Sequence, residues 1–201
     1  MKKIRDKILE TAGDLFQRRG YTCVGINEII ETSGVSKAGF YDNFASKEIL
    51  CVEWLQTTHK RSEQHHANIL AETGSSAQKV VDYFHALADF MACREYRGCP
   101  FSNTASVIDA KSPRIHAEIE SHKIFIREFF VDLATEIVPE GNFEELGNHL
   151  FLLYSGAATE AQNLRSEWPI STAARIAKAL TEHAQRPSAD EQRRKEELLA
   201  V

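Results

Sequence analysis

Apolar residues recur at three- and four-residue intervals along most of the chain, and no stretch alternates apolar and polar positions as a half-buried strand would. Val80, Phe84, Leu87 and Met91 mark one helical stripe. Ile115, Ile119, Ile126, Phe129 or Phe130, Leu133 and Ile137 mark a longer one. It opens at Ser112-Pro113, where proline suits the first helical position, and closes at Pro139-Glu140-Gly141. A helix from Ser46 to about Ala71 precedes Gly74-Ser75-Ser76. Another spans about Phe143 to Arg165, and a last one follows Trp168-Pro169-Ile170-Ser171. Arg94 to Pro100 reads as a loop, and the polar run from Pro187 as a solvated tail. The pattern predicts an all-α fold, with a small domain over residues 1–48, a larger helical domain over 49–186 and a tail over 187–201.

The densest local signal is Ile26 to Leu50, INEIIETSGVSKAGFYDNFASKEIL. Ile26, Ile29 and Ile30 share one face of a short helix. Gly34 follows Thr32-Ser33, where the chain needs a positive φ that glycine takes at little cost. Ser36 is placed to cap a second helix, and Phe40 and Phe44 share the face that packs back on the first. Lys37, Ala38, Gly39 and Tyr41 are left nearer the outside. Helix, glycine turn and second helix is the arrangement that sets a recognition helix in the DNA major groove. Small side chains allow close approach, a lysine can reach a guanine edge or a phosphate, and a tyrosine hydroxyl can donate to phosphate. Ser46 caps a third helix with Lys47 in its first turn; that cation is unfavourable for the helix dipole unless an anion sits there too, and a phosphate is the natural partner. The competing reading is a plain helical hairpin.

Taken in order, these residues resemble the DNA-binding domain of the TetR (tetracycline-repressor-like) family. The resemblance covers residues 4–50, from a leading helix (Ile4 to Arg18) through RRGY, GVSKAGFYDNF and SKEIL. It implies a three-helix helix-turn-helix domain fused to a larger helical effector-binding and dimerisation domain. It also implies a transcriptional regulator, more a repressor than an activator, released from a palindromic double-stranded DNA operator by a small-molecule effector. By position, Lys37 and Ala38 resemble base contacts, and Ser36, Tyr41, Asn43 and Lys47 resemble phosphate contacts. The sequence departs from the family where Gly25 replaces a capping threonine or serine, where Asn43 replaces a common histidine, and where Asp42 puts a negative charge on the recognition helix.

The net charge of −5 over 201 residues argues at first against nucleic acid. Within residues 1–50, however, eight Lys/Arg stand against seven Asp/Glu, so the rest of the chain carries the whole negative excess. A basic N-terminal footprint beside an acidic body suits DNA, although so thin a footprint demands two domains acting together. The charged N-terminus has no apolar leader run, and no run is long enough to cross a bilayer. A cytoplasmic protein with mostly reduced cysteines is expected.

For the body, Gly156, Ala157, Ala158 and Ala161, with Ala173, Ala174, Ala177 and Ala184, leave room for close helix approach. They either pack inside one chain or, as the resemblance implies, meet a second copy in a four-helix homodimer interface. Phe84, Cys99, Phe101, Asn103, Tyr154 and Trp168 are candidate effector-binding residues, and the aromatic members are equally plain core. Cys99 follows Gly98 beside Arg94 and Arg97, which would favour a thiolate, and Cys93 is near enough in sequence for a reversible disulfide. This gives a thiol-based electrophile or oxidant sensor as the alternative function, against a buried inert cysteine. A helical ligand-binding protein without DNA function is a further alternative. His59, Glu63 and His66 share a helical face at metal-ligand spacing, which also describes a solvated face. No C-x-x-C pair, nucleophile elbow, phosphate loop or dinucleotide fingerprint occurs, so no catalytic residue, metal or cofactor is assigned.

Overall fold

A computed structural model describes residues 3–109, 112–138 and 141–185, and the expected tail over 187–201 lies outside them. Among the described residues the regular structure is entirely helical. The helices are α1 (Ile4–Arg19), α2 (Ile26–Ser33), α3 (Lys37–Tyr41), α4 (Lys47–Ala71), α5 (Ser76–Cys93), α6 (Pro100–Ala105), α7 (Pro113–Ile137), α8 (Phe143–Leu164) and α9 (Trp168–Ala184). No helix among these residues is long and apolar enough to cross a membrane. Helix α6, between the Arg94–Pro100 loop and Ser112, is not among the elements that periodicity predicts. Its signal is Pro100 in the first turn, the same one that marks α7.

The chain divides into two compact units, Met1–Asn68 with Arg94–Phe125, and Ile69–Cys93 with Ile126–Val201. They differ from the expected boundary at residue 48, which falls at the start of α4, a helix of 25 residues that runs unbroken past it. In the first unit, Ile8, Ala12 and Phe16 of α1 form one buried stripe. They gather Val24, Ile29, Phe40, Phe44, Leu50 and Leu55 with Phe101, Ile115 and Ile119 into one core. Phe16 meets Tyr21 and Trp54 edge-on, with ring centroids 5.4 and 5.5 Å apart.

In the second unit, α9 packs on α5 and α8. An aromatic group of Tyr83, Phe84, Phe129, Phe130 and Tyr154 fills its centre, with centroid separations from 5.3 to 6.3 Å. Gly147 lets α8 approach α7 closely, since a Cβ there would fall 2.7 Å from the Val131 Cα. Buried Lys79 donates to the Leu70 carbonyl at 2.8 Å and so satisfies an orphan acceptor at the end of α4.

Candidate nucleic-acid interface

The helix-turn-helix is assembled from short-range interactions. Gly34 closes α2 in the left-handed region (φ 62°, ψ 31°), and the Val35 N–H returns to the Ile30 carbonyl at 3.3 Å. Ser36 then accepts from the Gly39 N–H at 3.0 Å, which caps α3. A Cβ on Gly39 would sit 3.1 Å from that same hydroxyl oxygen, so the glycine also keeps room for the cap. Phe40 and Phe44 are fully buried, as their spacing predicts, and they hold α3 against the core. Ser36, Lys37, Ala38 and Tyr41 are exposed, Tyr41 by 46 % even though its ring meets Phe40 edge-on at 5.3 Å. Asp42 is exposed as well. Gly25 stands at the start of α2 without a side-chain cap, as the departure at that position implies.

Two expected phosphate contacts face elsewhere. The Lys47 ammonium donates to the Tyr21 and Val24 carbonyls, both at 3.0 Å, and lies 4.4 Å from the centre of the Tyr21 ring. Burial holds its pKa below the ordinary lysine value and pushes the Tyr21 phenol up to about 12. The expectation of an outward cation at the start of α4 is therefore corrected. Lys47 braces the loop between α1 and α2, with a single N–H left for any outside acceptor. Asn43 donates its amide to the Gly39 carbonyl at 2.8 Å, which ties down the end of α3.

The arginines of the domain are paired within it. Arg5 forms a two-pronged ion pair with Glu53, donates to the Asn43 carbonyl at 2.6 Å and stacks 4.5 Å over the Phe44 ring. Arg18 pairs with Asp14 and Arg19 with Glu28. The sequence reading counted Arg5 only as charge. Its bracing role had no signal there, because Glu53 and Asn43 are remote from it along the chain.

The six residues suggested for an effector are divided between the two units. Phe84 and Tyr154 belong to the aromatic core of the second unit. Cys99, Phe101 and Asn103 belong to the first. There Phe101 stacks on His122 with centroids 3.6 Å apart, and Asn103 donates to the Arg97 carbonyl at 2.7 Å. Trp168 is 57 % exposed at the start of α9. All four cysteines are free thiols. Cys99 is half-buried at the start of α6, while the neighbouring Arg97 guanidinium is taken up by Asp14 and Glu95.

His59, Glu63 and His66 do not converge either. His59 Nδ1 lies 3.1 Å from His122 Nδ1, while its Nε2 faces Glu63 at 3.4 Å. His66 Nδ1 lies 2.7 Å from the Ser62 carbonyl. No group of three such residues placed to hold a metal ion occurs among the described residues.

The small residues of the last two helices are corrected in part. Ala157, Ala158, Ala161, Ala173, Ala174 and Ala177 are buried within the chain, where α8 and α9 meet. The outward face carries Leu152 (65 % exposed), Trp168 and Ile176 (44 %), which border a groove of about 590 Å³ with Gly156 and Leu153.

Residues 8–53, the span that builds this helix-turn-helix, match the pattern of bacterial regulatory proteins of the tetR family. The chain is 31% identical to the HTH-type transcriptional regulator LmrA of Bacillus subtilis (strain 168), over 54% of its own length and 58% of that relative. It is 24% identical to the HTH-type transcriptional repressor ComR of Escherichia coli (strain K12), over 79% of each. Thus it spans little more than half of a relative such as LmrA. The fold is that of SCO4454, a TetR-family transcriptional regulator from Streptomyces coelicolor, with a TM-score of 0.85 at 20% identity over 92% of this chain and 91% of that one. A capped recognition helix on an exposed edge and the matching sequence pattern agree: residues 8–53 form a helix-turn-helix domain of the tetR family of bacterial regulatory proteins, on a chain that has the fold of a TetR-type regulator.

Proposed function

We propose that the protein is a homodimeric repressor that reads a palindromic operator with two copies of α3. The observation that carries this reading is the exposed row Ser36, Lys37, Ala38 and Tyr41 on a helix fixed from behind by Phe40 and Phe44. Lys37 is long and flexible enough for a base edge or a phosphate, and Ala38 offers a methyl group for a thymine. Five residues of recognition helix supply little discrimination alone, so two half-sites related by a two-fold axis are needed. The apolar rim of Leu152, Trp168 and Ile176 on α8 and α9 is the surface we assign to the second copy, because an exposed patch of this kind marks an association site. Relatives named as repressors, ComR among them, support repression over activation.

Release by an effector follows if a small molecule binds better to a shape in which the two recognition helices no longer match the half-site spacing. The aromatic group around Tyr83, Phe130 and Tyr154 is the part of the body whose chemistry suits an apolar or aromatic effector. Selection of bound sequences from a randomised duplex pool tests the reading. An enriched palindrome, bound by a species of twice the chain mass, is the expected result. A folded protein that enriches no sequence, or one that binds as a single chain, refutes it.

A further inference from the structure

Among the described residues of the first 50, Lys3, Lys7 and Lys37 are the cations that make neither an ion pair nor a side-chain hydrogen bond. Two of them have an obvious setting, Lys37 on the recognition helix and Lys3 just ahead of α1. Lys7 is different. It is exposed on α1, yet its ammonium lies over the turn between α2 and α3: a Cβ built on Gly34 would be 3.6 Å from Lys7 Nζ. The turn beneath it is fixed by the left-handed Gly34 and the Val35-to-Ile30 hydrogen bond, so the lysine stands above a rigid surface.

Ser36 lies two residues beyond Gly34. Its oxygen accepts from the Gly39 N–H, which leaves its hydroxyl proton for an outside acceptor. An unpaired ammonium over Gly34 and a free hydroxyl proton on Ser36 thus stand on the turn that precedes the recognition helix. A lysine at such a place is a point charge with three rotatable donors and no protein partner, a grouping that suits a phosphate oxygen. Lys47, the cation that sequence spacing favours for that work, is turned inward on two carbonyls.

We infer that Lys7 is a phosphate-contacting residue of the operator complex and, with the Ser36 hydroxyl, fixes the DNA backbone across the α2–α3 turn. The inference rests on the operator-binding reading given above. It assigns Lys7 to affinity and register, and leaves base discrimination to α3.

The experiment measures affinity for the selected operator, and for single-base variants of it, as salt is raised from about 0.1 to 0.4 M. Wild type, Lys7→Ala, Lys7→Arg and Lys37→Ala are compared, with melting temperature and dimer mass checked for each. Two lysines per dimer account for a slope of about 1.8 in log affinity against log salt, so Lys7→Ala lowers the slope by that amount. At about 0.15 M salt the loss is roughly 10- to 30-fold, and the same factor applies to every operator variant. Lys7→Arg retains the wild-type slope, and Lys37→Ala changes the ranking of the variants. A folded, dimeric Lys7→Ala protein with wild-type affinity and slope overturns the inference while the operator-binding reading stands. So does a Lys7→Ala protein whose loss depends on base sequence. A wild-type protein that selects no operator removes both together.

Discussion

Replacing Lys47 by methionine keeps a stem of the same length and removes the ammonium that lies over the Tyr21 ring. The Tyr21 and Val24 carbonyls, each 3.0 Å from that ammonium, lose their donor. A partly buried acceptor left unpaired costs about 1 kcal/mol at the low end of the range for such groups. The cation–ring contact at 4.4 Å adds about 0.5–1 kcal/mol. Together the variant is destabilised by roughly 2.5–3 kcal/mol, a large share of the marginal stability of a folded chain. For a chain of this size the melting temperature falls by roughly 5–10 °C. Urea titration followed by far-UV circular dichroism measures the loss directly, and calorimetry gives the melting temperature. Operator affinity measured well below that temperature changes less than it does for Lys7→Ala, because the lost ammonium faces the protein. A Lys47→Met protein of unchanged urea midpoint that loses more affinity than Lys7→Ala would show that Lys47 works outward, and would refute this account of the α4 start.

The remaining predictions concern the packing of the body. Gly147→Ala drives a Cβ to within 2.6–2.9 Å of Val131 side-chain and backbone atoms, so it destabilises by roughly 1–3 kcal/mol; an unchanged melting temperature would contradict the close α7–α8 approach. Ile176→Glu puts a carboxylate into the apolar α8–α9 rim, and light scattering is expected to report a single-chain mass at concentrations where wild type is a dimer. Burial takes the pKa of His122 down to about 3 and that of His66 down to about 4, from 6.5. The unfolded chain therefore binds more protons below about pH 6.5, and stability is lost as pH falls from there towards those values. The slope approaches about 2.7 kcal/mol per pH unit for the two together, and His122→Leu, read from urea midpoints at several pH values, halves it.

The helix-turn-helix was legible because its determinants are local. A left-handed glycine, a serine cap three residues before the N–H it satisfies and an aromatic pair four residues apart are all set by neighbours in the chain. Side-chain direction was legible only where a helical face decides it. Phe40 went inward and Lys37 outward as their positions require. Lys47 followed instead a loop more than twenty residues earlier in the chain, whose carbonyls its ammonium satisfies. The same limit hid Arg5, held by Glu53, and Lys7, set over Gly34. In each case the neighbour is remote in sequence, and a periodicity has no information about it.

The last two helices show the limit from the other side. Small residues at helical spacing announce close packing, but they do not say which neighbour is close. Here the alanines are consumed by the α8–α9 contact within one chain, and that leaves the larger residues of the opposite face, Leu152, Trp168 and Ile176, in solvent. Helices that had only to pack inside a monomer would place polar residues there, since each large apolar side chain left exposed forgoes about 1.5–3 kcal/mol of burial. Bulky residues left uncovered after the alanines are packed are therefore what calls for a second copy. A pattern of small residues that is already satisfied within the chain adds nothing to it.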